Sequence, residues 1–342
     1  MQVWPVILDA TPPYFGGKAT RSLLRMPLGR GMLSAQLCEQ IETLTALVPI
    51  IVAPRGVDAP YRDDLRALCP DAVLATSARE LSDFLARVET SDLLLFIDPR
   101  CLPVDASELA AMVATAVTQP QMARHLVAYA TDLAGTRESV NIDGDGHVRS
   151  IHRYYKPATW PFIAGVAASV VPVWSGLSVM PHLPGSLLEL RQELVLLGVP
   201  SADVAIVRGS FDLTSEQGML AAVEHSVHTA TGAGIEHDAA REAVFVGTGH
   251  VIDPTARLLG PVILHAGAQV GARATVVGPS LLGENSSIGT DAVVAHVLLG
   301  PRAAVPDGLV VRDRVWFSAD DHRLESDDHV RLAPSFVERL AR

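Results

Sequence analysis

Ile252-Asp253-Pro254-Thr255-Ala256-Arg257-Leu258-Leu259-Gly260-Pro261-Val262-Ile263-Leu264-His265-Ala266-Gly267-Ala268-Gln269-Val270-Gly271 opens a stretch whose aliphatic residues return at every sixth position. The series runs Ile252, Leu258, Leu264, Val270, Val276, Leu282, Ile288, Val294. Four positions after each of the first seven comes a small or compact residue: Ala256, Val262, Ala268, Ala274, Ser280, Ser286 and Ala292. Glycines follow the aliphatic position at Gly271, Gly283 and Gly289. The pattern reads as a prism whose flat faces are short parallel strands, with the aliphatic residues pointing to the axis and the compact ones fitting tight corners. This is the hexapeptide repeat of a left-handed parallel β-helix. At three hexads per coil the clear pattern makes about two and a half coils, too few to bury a large core alone. The coils are therefore expected to pack on the rest of the chain or on another subunit.

Working outward, small and polar residues between Ala230 and Arg241 mark a linker, assigned to 230–243, and the coils are assigned to 244–312. Beyond them 313–342 reads as an acidic tail, with Asp320, Asp321, His322, Asp327, Asp328 and His329 taken as a solvated run rather than a metal cluster. Before the linker, 1–229 alternates short apolar runs with helical patterns, which is how an open, mostly parallel α/β sheet reads. Strands are expected at Val6 to Leu8, Pro49 to Val52, Leu93 to Ile97, Val127 to Ala130 and Val204 to Val207. Helices are expected at Leu33 to Leu47, Ala78 to Val88, Asp105 to Val117 with Asp105 as its cap, Ser186 to Leu197 and Ser215 to Val227. The turn Asn141-Ile142-Asp143-Gly144-Asp145-Gly146 signals a hairpin.

The chain has 342 residues and a formal charge of -11, with 49% hydrophobic and 19% charged residues, which suits a globular protein of about two domains. An acidic chain without a basic run argues against nucleic acid as a partner. Between Lys156 and Glu189 no charged residue occurs, but five prolines break the segment, so no membrane span is expected. Met1 to Ala10 has no basic region ahead of its apolar residues, so no secretory leader is expected. Cys38, Cys69 and Cys101 are dispersed and read as buried small hydrophobes of a reducing, cytoplasmic compartment.

An α/β domain followed by hexapeptide coils resembles the sugar-1-phosphate nucleotidyltransferases, the NDP-sugar pyrophosphorylases such as GDP-mannose pyrophosphorylase. Three segments carry the resemblance in the family's order. Leu93 to Asp98 is similar to the strand that ends in a metal-binding aspartate, with Ile97-Asp98 where the family usually has Gly-Asp. Val148 to Pro157 is similar to the strand ending in Glu-Lys-Pro, followed by an Ala-Gly pair matched by Ala164-Gly165. Gly209-Ser210-Phe211-Asp212-Leu213-Thr214-Ser215-Glu216 is similar to the family's Gly-x-Trp-x-Asp-Ile-Gly-Thr-Pro-Glu.

The resemblance implies an α/β, Rossmann-like nucleotidyltransferase domain followed by a short left-handed parallel β-helix. It also implies a reaction in which a nucleoside triphosphate and a sugar-1-phosphate, or a related cyclitol phosphate, give an NDP-sugar and pyrophosphate. Two polyanions must meet, so such a site needs cations more than it needs an acid or base. The family's pattern assigns a magnesium ion (Mg2+) to Asp98 and Asp212, the sugar phosphate to Lys156, and the sugar to Tyr155 and Gly165. Homo-oligomers formed through the β-helix are the expected assembly.

The phosphate loop departs from the family. Gly-Gly-x-Gly-Thr-Arg belongs directly after the first strand, whereas here Thr11-Pro12-Pro13-Tyr14-Phe15 intervenes before Gly16-Gly17-Lys18-Ala19-Thr20-Arg21. Either Gly16, Gly17 and Lys18 form a displaced cradle, or Arg21 opens the segment that replaces the later Lys-x-Leu-Leu and the cradle is gone. Arg21 meets phosphate in both registers. Tyr155 stands where the family has a sugar-binding glutamate. Two readings follow: a nucleotidyltransferase with altered loop chemistry, or a catalytically inactive homologue that binds a nucleotide sugar or a catalytic partner. A third, acyl transfer by the coils with His265 or His296 as base, is disfavoured because no long loop interrupts the repeat; those histidines are expected at the surface.

Overall fold

The computed structural model describes residues 1–9, 14–15, 18–19, 23–29, 31–53, 59–103, 107–129, 136–142, 148–155, 164–174, 187–202, 205–207, 210–213, 216–229, 235–238, 241 and 243–317. The chain divides into two compact units, one drawn from Met1–Pro13 and Arg21–Ser226, the other from Tyr14–Thr20 and Val227–Arg342.

The first unit is built on a seven-stranded mixed sheet. In chain order its strands are β1 (Val3–Leu8), β2 (Ile50–Val52), β3 (Val73–Ala75), β4 (Leu93–Ile97), β6 (Arg124–Tyr129), β7 (Ala164–Pro172) and β8 (Ala205–Val207), with a short β5 (Cys101–Pro103) outside the sheet. The spatial order is β8-β6-β7-β4-β1-β2-β3. All run parallel except β7, which is antiparallel to both β4 and β6. Residues of both pleat faces are buried: Val6, Ile50, Leu94 and Phe96 on one, and Ile7, Ile51, Leu93 and Leu95 between them. That is why these strands read as unbroken apolar runs, as strands covered on both faces do.

Helices α1 (Leu33–Glu42), α2 (Ala59–Leu68), α3 (Ala78–Leu85), α4 (Ser107–Thr118), α5 (Leu187–Leu196) and α6 (Glu216–Thr229) accompany the sheet. α3 starts at a capping box: Ser77 Oγ accepts from Glu80 N, and the Glu80 carboxylate accepts from Thr76 N at 2.7 Å. α1 stops at Glu42 instead of continuing to Leu47. Pro49 disfavours a helical residue ahead of it, and Thr43 and Thr45 are weak helix formers. α4 begins at Ser107, and Asp105 lies outside the described residues. The periodicity gave no sign of α2, β3 or β7. The Asn141 hairpin is present as Thr136–Ile142 paired antiparallel with Val148–Tyr155.

The second unit contains a parallel β-solenoid. On one face Val244, Val262 and Ser280 stack at a spacing of eighteen residues, and Leu281 and Leu298 continue the stack at seventeen. Two further faces repeat the pattern through Val251, Gln269, Ser287 and Ala304, and through Arg257, Thr275, Val293 and Val310. The result is about four turns, ending in the strand Val310–Trp316. The count of two and a half was too low because the strict six ends at Val294. One residue is missing before Leu299, after which Leu299, Val305 and Val311 stack on Leu282, Ile288 and Val294.

Four turns close a core of their own, in which the aliphatic row and the compact row are both buried. Val244–Gly247 also pairs antiparallel with Ile235–His237, so a strand occupies part of the segment read as linker. His265 is 4% exposed and not a surface residue, while His296 is half-buried at a corner with Nδ1 2.7 Å from Asp313 Oδ1.

Candidate functional site

β1 and β4 lie side by side at the point where the strand order reverses: β1 leads outward to β2 and β3, and the chain then returns across β1 to β4. In open α/β sheets, ligands are received beyond the carboxyl ends of such strands. Register Ile7↔Ile97 brings those two ends level, and each is followed by a buried aspartate, Asp9 after β1 and Asp98 after β4. Asp9 accepts a hydrogen bond from the Tyr61 hydroxyl at 3.0 Å.

After Asp98 the chain turns tightly, with Cys101 N–H donating to the Asp98 carbonyl at 3.2 Å, and enters β5. β5 pairs antiparallel with β9 (Ser210–Asp212), placing Cys101 opposite Asp212 and Leu102 opposite Phe211. Leu213 N–H donates to the Arg100 carbonyl at 2.8 Å and extends the ladder. Phe211 is buried and packs on His225 of α6 with ring centroids 5.5 Å apart, which anchors β9. Asp212 ends this short ladder and Asp98 lies three residues before its β5 strand, so that the charges of both reach Cys101. Burial pushes the Cys101 thiol up to about 11; a Ser210 hydrogen bond opposes the rise, and the charges of Asp98 and Asp212 add to it. Cys101 and Cys38 are half-buried and only Cys69 is buried, so the expectation of three core thiols holds for one.

Both oxygens of the Asp98 carboxylate are engaged by Arg100. Arg100 Nε donates to Oδ1 at 2.9 Å, Arg100 Nη2 donates to Oδ2 at 2.6 Å, and Arg100 N donates to Oδ1 at 2.9 Å. Such a two-pronged, charge-assisted pair is the strong form of a carboxylate–guanidinium contact. Asp212 is exposed. Among the described residues no group of three or more histidine, cysteine, aspartate or glutamate side chains could hold a metal. Of the two carboxylates that the family's pattern assigns to Mg2+, Asp98 is thus paired with a guanidinium and Asp212 is exposed. The acidic tail from Asp320 to His329 lies outside the described residues.

Of the other residues named from sequence, Gly165 lies in β7 opposite Ala128, and Tyr155 closes the hairpin strand Val148–Tyr155 opposite Thr136. Lys18 is backbone-paired with Phe15 in a two-residue strand. Gly16, Gly17, Arg21 and Lys156 lie outside the described residues. Two site residues escaped the sequence reading, Asp9 and Arg100. Each had a signal: an aspartate ending an apolar strand, and an Asp-x-Arg spacing that lets an arginine turn back on the carboxylate.

No protein-family model matches the chain and no curated protein matches it. Among solved structures it is similar to a UTP-bound UGPase from Acinetobacter baumannii, at 14% identity over 68% of this chain and 96% of that one, with a TM-score of 0.46. It is also similar to a protein assigned as a glucose-1-phosphate thymidylyltransferase from Bacillus anthracis, in complex with a sucrose, at 12% identity over 68% of this chain and 97% of that one, with a TM-score of 0.47.

Proposed function

We propose that the chain is a nucleotide-sugar protein of the sugar-1-phosphate nucleotidyltransferase type. In this reading a sugar-1-phosphate, or a related cyclitol phosphate, attacks the α-phosphorus of a nucleoside triphosphate, and pyrophosphate leaves. The observation that supports it is the β5–β9 ladder, which begins three residues after Asp98 and ends at Asp212, the two aspartates that the family's ordered motifs pair. The α-phosphate would sit against this ladder. Arg21, with Gly16, Gly17 and Lys18, would receive the triphosphate, Lys156 would hold the sugar phosphate as a point charge, and Tyr155 and Gly165 would face the sugar. The family's magnesium ion, where bound, supplies charge neutralisation.

One observation favours a second reading, a catalytically inactive homologue that binds a nucleotide sugar or a catalytic partner. That observation is the Arg100 fork on Asp98, which takes up the carboxylate a catalytic metal would need.

Pyrophosphate release from the four ribonucleotides and dTTP, against a panel of sugar-1-phosphates in Mg2+, separates the two. Turnover that disappears in Asp98→Asn establishes the transferase. No turnover, with thermal shifts by nucleotide sugars retained, establishes the binding protein. Neither turnover nor a shift across the panel sinks the transferase and the nucleotide-sugar binder alike.

A further inference from the structure

We propose that Arg100 is the resident cation of Asp98. Its guanidinium takes the place a divalent ion would need at that carboxylate, so the phosphates of a nucleotide sugar are received at this edge without a metal on Asp98. The ligand half of this inference rests on the proposed function; the exclusion of the ion rests on geometry.

Three features support the exclusion. First, both carboxylate oxygens are used, Oδ1 by Arg100 N and Nε and Oδ2 by Arg100 Nη2, and Asp98 is only 6% exposed. The three donors leave little of the carboxylate's acceptor capacity of about four lone-pair sites, so a divalent ion must compete with the fork's positive charge.

Second, the fork is tethered. Arg100 is two residues from Asp98, the intervening turn is closed by Cys101 N to Asp98 O, and the Arg100 carbonyl is held by Leu213 N–H of the segment following β9. A cation fixed in this way acts at a high local concentration that a dissolved ion must overcome. Guanidinium stays protonated at any pH the fold survives, so pH does not release it.

Third, the other carboxylate that the family's pattern assigns to the ion, Asp212, is exposed, so an ion held there with waters and phosphates would not need Asp98. The substitution of a guanidinium for a metal keeps the electrostatic neutralisation of Asp98 and drops the metal's role as a bridge.

The test uses Mn2+ alone as probe on the full chain, following free Mn2+ by electron paramagnetic resonance. The wild type is expected to show no tight Mn2+ site. Arg100→Gln is expected to gain one ion per chain, bound about tenfold tighter or more, the equivalent of one lost charge-assisted competitor. The gain should vanish in Arg100→Gln/Asp98→Asn. Arg100→Lys keeps the charge but loses the fork, and should fall between wild type and Arg100→Gln; it stands in if the glutamine variant does not fold.

A wild type that binds one Mn2+ per chain, lost in Asp98→Asn, overturns the proposal, as does a folded Arg100→Gln that gains no ion. In parallel, nucleotide-sugar binding by calorimetry should be equal in EDTA and in Mg2+; binding that requires Mg2+ counts against the proposal. Absence of binding in both conditions overturns the ligand reading and leaves the Mn2+ result to judge the exclusion.

Discussion

His125, on β6, places Nδ1 2.8 Å from Ser169 Oγ on the neighbouring β7, and Ser169 is fully buried. Burial, and then the charge of Arg191 on α5, hold the imidazole down to about 4, from an ordinary 6.5. The unfolded chain therefore takes up this proton at a higher pH than the folded one. The contribution to stability is fully present above pH 6.5 and is lost progressively as pH falls toward 4, reaching about 3 kcal/mol there. Urea unfolding across this range should show an acid limb in the wild type that flattens in His125→Gln; an unchanged limb would assign the pH dependence elsewhere. The same scale shows what sequence could read of the site. Asp98 was legible because an aspartate ending an apolar strand is a local pattern. That its carboxylate is closed by Arg100 was not, because the spacing allows the arginine to point outward just as well. The direction of the turn is fixed by Leu213 N–H on the Arg100 carbonyl, a contact from the far end of the domain.

The solenoid makes its demands at the level of the coil. Left-handed backbone recurs three residues before inward aliphatic positions, at Gly249, Gly267, Asn285 and Arg302 along one corner and at Arg273, Asp291 and Gly308 along another. Only some of these are glycine, so the corners tolerate side chains that point outward; Arg273 and Asp291 even pair across adjacent coils at 2.6 Å. The glycines after the aliphatic positions are different. A Cβ on Gly283 would stand 2.7 Å from the Leu299 carbonyl oxygen and 2.8 Å from the Gly300 carbonyl carbon, both backbone atoms of the next coil. Neither can move without parting the ladder, so Gly283→Ala is expected to cost about 1–3 kcal/mol, the range for overpacking. A guanidinium melt of the variant checks this; a midpoint equal to the wild type would mean that the coils can separate locally. These glycines were visible in the sequence as a motif, and the reason for them lies in the stacking distance between coils.

At the scale of the whole molecule, the described residues include one apolar cluster on a face of the seven-stranded sheet and another along the solenoid axis. Calorimetry should resolve two transitions, with Gly283→Ala lowering one and His125→Gln shifting the other at acid pH; a single transition moved by both variants would show that the cores melt as one. The sequence by itself determined both architectures, because each is a periodicity written in side chains: apolar runs for a sheet covered on both faces, and a period of six for a three-faced solenoid. It also marked Asp98 as an aspartate that ends a strand. Only the tertiary structure decided that the solenoid runs to about four turns, since a single missing residue before Leu299 hides the continuing stack from a strict count. Only the tertiary structure, too, decided that β7 inserts antiparallel between β4 and β6, that β5 pairs with β9 so that Cys101 faces Asp212, and that Arg100 lies on the Asp98 carboxylate. Periodicity reports which face of an element is buried. Which element lies next to it depends on contacts between distant segments, and a linear pattern does not record those.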